Sequence, residues 1–384
     1  MISKNINFKK FSPFIKDKKV KEKLKLILSS ENEIINSLKK KFKLNYDFKK
    51  LKKIQKNLDL RIIGIGGSIL GAKAIFSFLN HKIKKKILFI DNLKTNFSKK
   101  PKKNYTNLII SKSGNTLETI ININLLIKKN DKNIFLTENK NNYLIQLGQK
   151  LKSEVVHHNN YIGGRYSVLS ETGMLPAEFM GLNVSKFKQL NSLIKNSNFL
   201  NSIVANVNTT LFLLKKKKFN SIIINYDEKS EDLLKWYQQL IAESLGKENQ
   251  GILPIISSMP KDNHSVMQLF LDGFKNNFFT FFFVNEMKSP KINNTSILHS
   301  HNFLKNKSLN QILYAQKNAT EIIFKKKNIP FRSFEIKKRD EVSMGEMFCF
   351  FILETILLGE ALKLNPYDQP AVELIKKETK KNLI

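Results

Sequence analysis

Apolar and polar positions change rhythm along the 384-residue chain. Through about residue 57, apolar residues recur three and four apart, from Val20 to Leu28 and from Ile34 to Phe42, the spacing of one helix face. Short continuous apolar runs then appear at 61–65 (RIIGI), 87–90 (ILFI), 107–111 (NLIIS) and 133–137 (NIFLT), each followed by a helix-length segment. Such runs suit strands buried on both faces, and their alternation with helices predicts a parallel sheet covered on both sides. Residues 184–218 contain no strand-like run and predict one or two helices. Strand runs resume at 220–225, 252–256, 279–284 and 329–333, with helices expected over 230–246 and 302–327. Apolar helical stretches at 343–363 and 369–382 end the chain. The expectation is an α/β protein: an N-terminal helical segment over 1–57, a first α/β unit over 58–183, and linker helices, a second unit and C-terminal helices over 184–384.

Composition changes this picture mainly through charge. Lys and Arg total 66 against 32 Asp and Glu, a formal charge of +34. Arg occurs only at 61, 165, 332 and 339, which leaves 62 Lys. Proteins that read nucleic acid favour Arg, whose fork pairs bidentately with bases and phosphates. Here the Lys is spread along the chain together with Asn, Ile and Phe, residues with A/T-rich codons. Compositional bias therefore accounts for the charge, and no specific nucleic-acid partner is expected. The run Lys215–Lys218 reads as a solvated face.

The single cysteine, Cys349, excludes an internal disulfide and a cysteine metal site, and is compatible with a reducing compartment. The six histidines, at 81, 157, 158, 264, 299 and 301, show no HExxH spacing, so no metal is expected. The N-terminus MISKNINFKKF lacks the apolar region of a signal peptide, and the most apolar run, Phe278–Val284, is far short of the ~20 residues that span a bilayer. A cytoplasmic protein with no membrane partner is expected.

Candidate chemistry lies in six segments. Gly64-Ile-Gly-Gly-Ser-Ile-Leu-Gly71 follows the first strand run. It fits neither the dinucleotide fingerprint nor the P-loop, but a glycine turn at a parallel strand's carboxyl end is where α/β folds bind ligands. Its backbone amides, Gly67 among them, and the Ser68 hydroxyl are candidate ligand groups. Ser111-Lys-Ser-Gly-Asn-Thr-Leu-Glu-Thr119 places Ser111, Ser113 and Thr116 at another strand end and helix start, an anion site suited to a phosphate monoester. In Gly163-Gly-Arg-Tyr-Ser167, an arginine follows two glycines that allow close backbone approach, and a fixed guanidinium there suits a developing oxyanion. In Gln239-Leu-Ile-Ala-Glu-Ser-Leu-Gly-Lys247, Gln239 and Glu243 share a helix face, and Glu243 sits near a C-terminal end whose dipole disfavours a carboxylate, a setting for a base. Lys261-Asp-Asn-His-Ser265 follows Pro260, and Asn365-Pro-Tyr-Asp-Gln-Pro-Ala-Val-Glu373 precedes Lys376. Read alone, those two are a polar loop and a helix cap.

In this order, from about Arg61 to Lys377, the segments resemble the glucose-6-phosphate isomerase (phosphoglucose isomerase) family. GIGGSILG, SKSGNTLET, GGRYSVLS, ESLGK and NPYDQPAVELIKK are each close to family motifs, the last being the most specific. The resemblance implies two flavodoxin-like sugar isomerase subdomains with parallel sheets, a homodimer with shared active sites, and no metal or organic cofactor. It implies that Ser68, Ser111, Ser113 and Thr116, with backbone amides and Lys112, hold the sugar phosphate. Glu243 would move a proton between C2 and C1, and Arg165 would stabilise the enediolate and disfavour phosphate elimination. His264 and Lys376 would open the hexose ring, Glu118 would orient His264, and Gln239 and Gln369 would line the sugar. Asn263, Ala371, Glu171, Thr172 and Asn115 depart from commoner family residues, and the N-terminal segment is shorter than in many members.

The implied activity is reversible isomerisation of glucose 6-phosphate to fructose 6-phosphate, in glycolysis and gluconeogenesis. A regulatory module with the same subdomain fold would need the phosphate loop but not Glu243, Arg165, His264 and Lys376 together. A nucleic-acid binder would need the arginine this chain lacks. The charge predicts only weak, sequence-independent binding of DNA or RNA that falls steeply between low and physiological salt. A sequence preferred by ~10³-fold or more at physiological salt would contradict this reading.

Overall fold

The computed structural model describes the chain apart from residues 13, 14, 16, 56–58, 96–103 and 129. The described strands are β1 (Ile6–Lys9), β2 (Asp59–Ile63), β3 (Ile87–Ile90), β4 (Tyr105–Ile110), β5 (Lys132–Glu138), β6 (Glu154–His158), β7 (Asn220–Asn225), β8 (Leu253–Ser258), β9 (Asn277–Val284) and β10 (Phe331–Ile336). They form two five-stranded sheets. The chain is α/β, as the alternation of apolar runs and helical segments implies.

The first sheet has the order β3-β2-β4-β5-β6 and is wholly parallel. The chain leaves β2 to one side for β3, then returns to the other side for β4. The reversal point lies between β2 and β4, and a ligand crevice opens at the carboxyl ends of such a pair. The second sheet has the order β8-β7-β9-β10-β1. Its four later strands repeat the same reversal, between β7 and β9, and are parallel.

The N-terminal segment departs from the helical expectation. It does form helices at Lys18–Ser29, Glu33–Ser37 and Phe48–Gln55, but it opens with β1. That strand runs antiparallel to β10 with Ile6 opposite Ile336 and covers what would be the sheet edge. β6 is likewise absent from the sequence expectation, because its short EVVHH run is flanked by polar residues and resembles a loop. Pro254 lies in β8, where its missing N–H is harmless because β8 is an edge strand paired only to β7.

The Glu341–Leu362 helix packs against the second sheet, where Phe350 and Phe351 meet Phe334 of β10, and is buried continuously from Met344 to Gly359. It is long and apolar enough to cross a membrane, but its apolar surface is taken up inside the protein. A helix apolar all round is a core helix when it is enclosed in this way. The buried Glu354 of this helix is paired. Glu354 accepts from the Tyr237 hydroxyl at 3.0 Å and also binds the Arg332 guanidinium and the Asn206 amide. Arg332 donates further to Tyr237 Oη at 3.0 Å and Thr280 Oγ1 at 2.9 Å.

The helix Leu70–Leu79, which follows β2, packs against the helix Glu231–Leu245, which follows β7. They run antiparallel: Ser77 near the end of the first donates to Asp232 near the start of the second at 2.5 Å. This places the start of the first helix beside the end of the second.

Removing one partner of the buried Arg332–Glu354 pair leaves an uncompensated charge. Glu354→Ala is expected to lower unfolding free energy by about 3–5 kcal/mol, read from guanidinium unfolding curves.

Candidate active site

The Gly66–Ser68 turn, the Ser111–Thr116 loop, the Gly163–Arg165 segment and the end of the Glu231–Leu245 helix form one constellation. The first two follow β2 and β4, the strands on either side of the reversal point, whose residues Ile63 and Ile109 are direct neighbours. Gly66 has a φ of +55°, and a Cβ there would lie 3.0 Å from Gln239 Nε2. At Gly67 the constraint is space. A Cβ there would lie 2.3 Å from the Gly164 carbonyl carbon and 2.5 Å from the Arg165 nitrogen. The two double-glycine turns are thus packed backbone against backbone.

Arg165 is buried and uses all five of its donors. Nε donates to Ser244 Oγ at 2.8 Å. Nη2 donates to the Pro366 and Asp368 carbonyls at 2.8 and 2.9 Å. Nη1 donates to Gln369 Oε1 at 2.6 Å and to Glu243 Oε2 at the longer distance of 3.4 Å. Tyr166 donates to the Pro366 carbonyl at 2.9 Å and pairs with Ser244 at 2.8 Å. Proton counting orders this chain: Arg165 donates to Ser244, Ser244 to Tyr166, and Tyr166 to Pro366. Burial pushes the Tyr166 hydroxyl up, which keeps it a donor.

Glu243 is half-exposed; Gln239 Nε2 donates to its Oε1 at 2.8 Å. The Gln239 oxygen is buried without a hydrogen-bond partner among the described residues. Lys247 holds the Asn365–Gln369 turn by donating to Asp368 at 2.5 Å and to the Asn365 carbonyl. That contact holds the Asp368 carboxyl below its ordinary value.

In the second loop, Ser111 is buried and its hydroxyl pairs with Thr116 at 2.9 Å, while Ser113 lies 3.5 Å from Thr116. Thr116 occupies the N-cap position of the Leu117–Leu126 helix, yet its side chain caps no backbone amide. The hydroxyls face one another instead of the helix end. Burial lowers the Lys112 ammonium below its ordinary value, with Glu138 opposing the shift. An anion nearby would oppose that shift.

The structure thus brings together Gly67, Arg165, Gln239, Glu243 and Gln369, and sets Ser68 and the Ser111, Lys112, Ser113 and Thr116 loop at adjacent strand ends. Three other expected residues stand apart. His264 is exposed in a turn after β8 and Glu118 lies on the helix after the phosphate-type loop; among the described residues no hydrogen bond or ion pair joins them. Lys376 is on the exposed Val372–Asn382 helix and pairs with Glu373 at 2.6 Å. Sequence reasoning missed Ser244 and Tyr166, whose only signal is adjacency to Glu243 and Arg165. Among the described residues no group of three or more His, Cys, Asp or Glu side chains could hold a metal ion.

The fold itself has solved counterparts. A hypothetical protein from Thermus thermophilus matches with a TM-score of 0.80 at 22% identity, covering 95% of this chain and 94% of that one. A glucose-6-phosphate isomerase from Chlamydia trachomatis matches with a TM-score of 0.68 at 18% identity, covering 98% and 80%. The class is therefore that of the two-sheet sugar isomerase fold. Sequence comparison is more specific. The phosphoglucose isomerase family model matches residues 31–383. The glucose-6-phosphate isomerases of Methanocaldococcus jannaschii and Mycoplasmopsis pulmonis are each 34% identical, over 82% and 83% of this chain and 82% and 81% of their own lengths. The chain belongs to the phosphoglucose isomerase family.

Because Gly67 abuts Gly164, Gly67→Ala must push the two turns apart. The expected loss is about 1–3 kcal/mol of stability, seen as a lower Tm, as for other overpacking substitutions.

Proposed function

We propose that Glu243 and Arg165 are the chemical centre of this chain, acting on an open-chain hexose 6-phosphate held by the Ser111–Thr116 loop. Family membership makes the reaction the aldose–ketose interconversion of glucose 6-phosphate and fructose 6-phosphate, a step of glycolysis and gluconeogenesis. The observation that carries the residue assignment is the Glu243 carboxylate, held by Gln239 at 2.8 Å and facing the one loosely engaged donor of Arg165 at 3.4 Å.

A C2 proton of a sugar is weakly acidic, so its removal must be shared between a base and an oxyanion partner. Glu243 takes the proton from C2 and returns it to C1. Four Arg165 donors are committed at 2.6–2.9 Å, and the fifth is free to follow negative charge onto the enediolate. That charge stabilisation also disfavours expulsion of phosphate. Ser68, Ser111, Ser113, Thr116, the Gly67 amide and Lys112 bind the phosphate, and Gln239 and Gln369 line the sugar. These remote contacts supply binding energy that holds the chain in position.

His264 and Lys376 open the ring, with Glu118 orienting His264. Their separation from the Arg165 cluster within one chain supports a homodimer in which His264 reaches the neighbouring subunit's site. We read the chain as an N-terminal segment over 1–57, a first sugar isomerase subdomain over 58–183 and a second with its linker and C-terminal helices over 184–384, in a cytoplasmic protein.

Glu243→Gln should lower kcat by about 10²–10⁴-fold while binding of sugar phosphate persists, because only a transition-state role is removed. Substantial isomerisation by this variant would contradict the assignment. The shared site is tested by unfolding Glu243→Gln and His264→Ala together and refolding the mixture. With random pairing, roughly a quarter of sites collect no defect and recover activity. A dead mixture, with hybrids confirmed by mass, would place each site within one chain.

A further inference from the structure

His158 is the one buried histidine of the six; the other five are exposed. It ends β6, and both ring nitrogens are engaged: Nδ1 lies 3.0 Å from Glu171 Oε2 and Nε2 lies 3.1 Å from the Ile162 carbonyl oxygen. We propose that His158 is a positioning residue for Arg165, its ring clamping the Ile162 carbonyl while Glu171 holds the opposite nitrogen. The proposal rests on the role given above to Arg165.

The backbone from Ile162 to Arg165 passes through two residues without side chains, Gly163 and Gly164, between the buried Ile162 and the anchored Arg165 guanidinium. Two side-chain donors hold its carbonyls. Ser167 Oγ donates to the Gly164 carbonyl at 2.6 Å, and the His158 ring reaches the Ile162 carbonyl, three residues before Arg165. A shift of this backbone moves the guanidinium and, through it, Gln369 and the donor facing Glu243.

The ring faces an acceptor on each side. The Ile162 carbonyl can only accept. Glu171 is the first residue of the Glu171–Phe179 helix, where the dipole favours its charge, and its other oxygen accepts from the Asn45 amide at 3.2 Å. Burial acts to raise its carboxyl, but bonding to His158 and the charge of that ring hold it below its ordinary value. A neutral imidazole has one N–H, so only the doubly protonated ring satisfies both oxygens. The clamp on the Ile162 carbonyl therefore depends on a proton at Nε2.

Other titratable groups crowd this pair. Lys188 donates to the Ser37 carbonyl at 2.5 Å and to the Leu169 carbonyl; burial lowers it to about 7, with Glu171 and Cys349 opposing. Burial, with Glu178 and Glu171, raises the Tyr46 hydroxyl, and burial raises Glu178 and takes the Cys349 thiol to about 12.

The test is nitrogen-15 NMR of histidine-labelled protein together with kcat and KM of His158→Gln. The exposed rings exchange their protons rapidly with water, so a protected ring N–H signal reports His158. The expected result is a protected signal at Nε2, the nitrogen facing the Ile162 carbonyl. His158→Gln should lower kcat about tenfold with KM within about twofold, the mark of a lost transition-state interaction. No protected signal at Nε2, or wild-type kcat in His158→Gln, would each overturn the proposal. If Glu243→Gln is inactive while His158→Gln has wild-type kcat, this inference alone fails; if Glu243→Gln is active, the parent assignment fails and the NMR result still reports the clamp.

Discussion

One buried guanidinium organises the site. Arg165 ties together its own double-glycine turn, Ser244 and Glu243 at a helix end, and the Pro366–Gln369 turn from the far end of the chain. Five planar donors meeting five acceptors require fixed geometry, which a lysine ammonium cannot reproduce. Four acceptors are close, and the longer contact leads to the carboxylate. The one long contact is to the carboxylate proposed as the base.

That hub depends on how the two sheets meet. Each sheet reverses direction beside its first parallel strand, and the helices that follow those strands pack antiparallel. The start of one helix, with its outward-facing amides, is thereby placed beside the end of the other, where Glu243 sits. A carboxylate at a helix C-terminus and hydroxyls at a helix N-terminus are separate electrostatic settings, suited to a base and a phosphate respectively. The fold supplies both within one crevice. A bare Gly67 lets the two turns close to backbone contact.

Much of this was legible in sequence because it is local. Continuous apolar runs such as NFFTFFFV of β9 mark strands buried on both faces. Glycine turns at strand ends mark ligand loops, and Gln239 and Glu243 at i, i+4 share a helix face. What escaped is what pairs at long range. β1 is a four-residue strand whose reason for being extended is β10, more than 300 residues away. The Ser244–Tyr166–Pro366 chain joins three distant segments, and no spacing announces it. Scarcity was informative about arginine: all four, Arg61, Arg165, Arg332 and Arg339, are buried in hydrogen-bonded networks, so none is on the surface to grip nucleic acid. The exposed positive charge belongs to lysine.

The account stands on the claim that the Arg165 fork, rather than its charge alone, holds the site in working geometry. Arg165→Lys keeps the charge and removes the fork, so kcat for isomerisation measured on the folded variant is the direct test. The account predicts a fall of about 10²–10³-fold with the sheets and unfolding cooperativity intact. Activity within about threefold of the parent protein would contradict it.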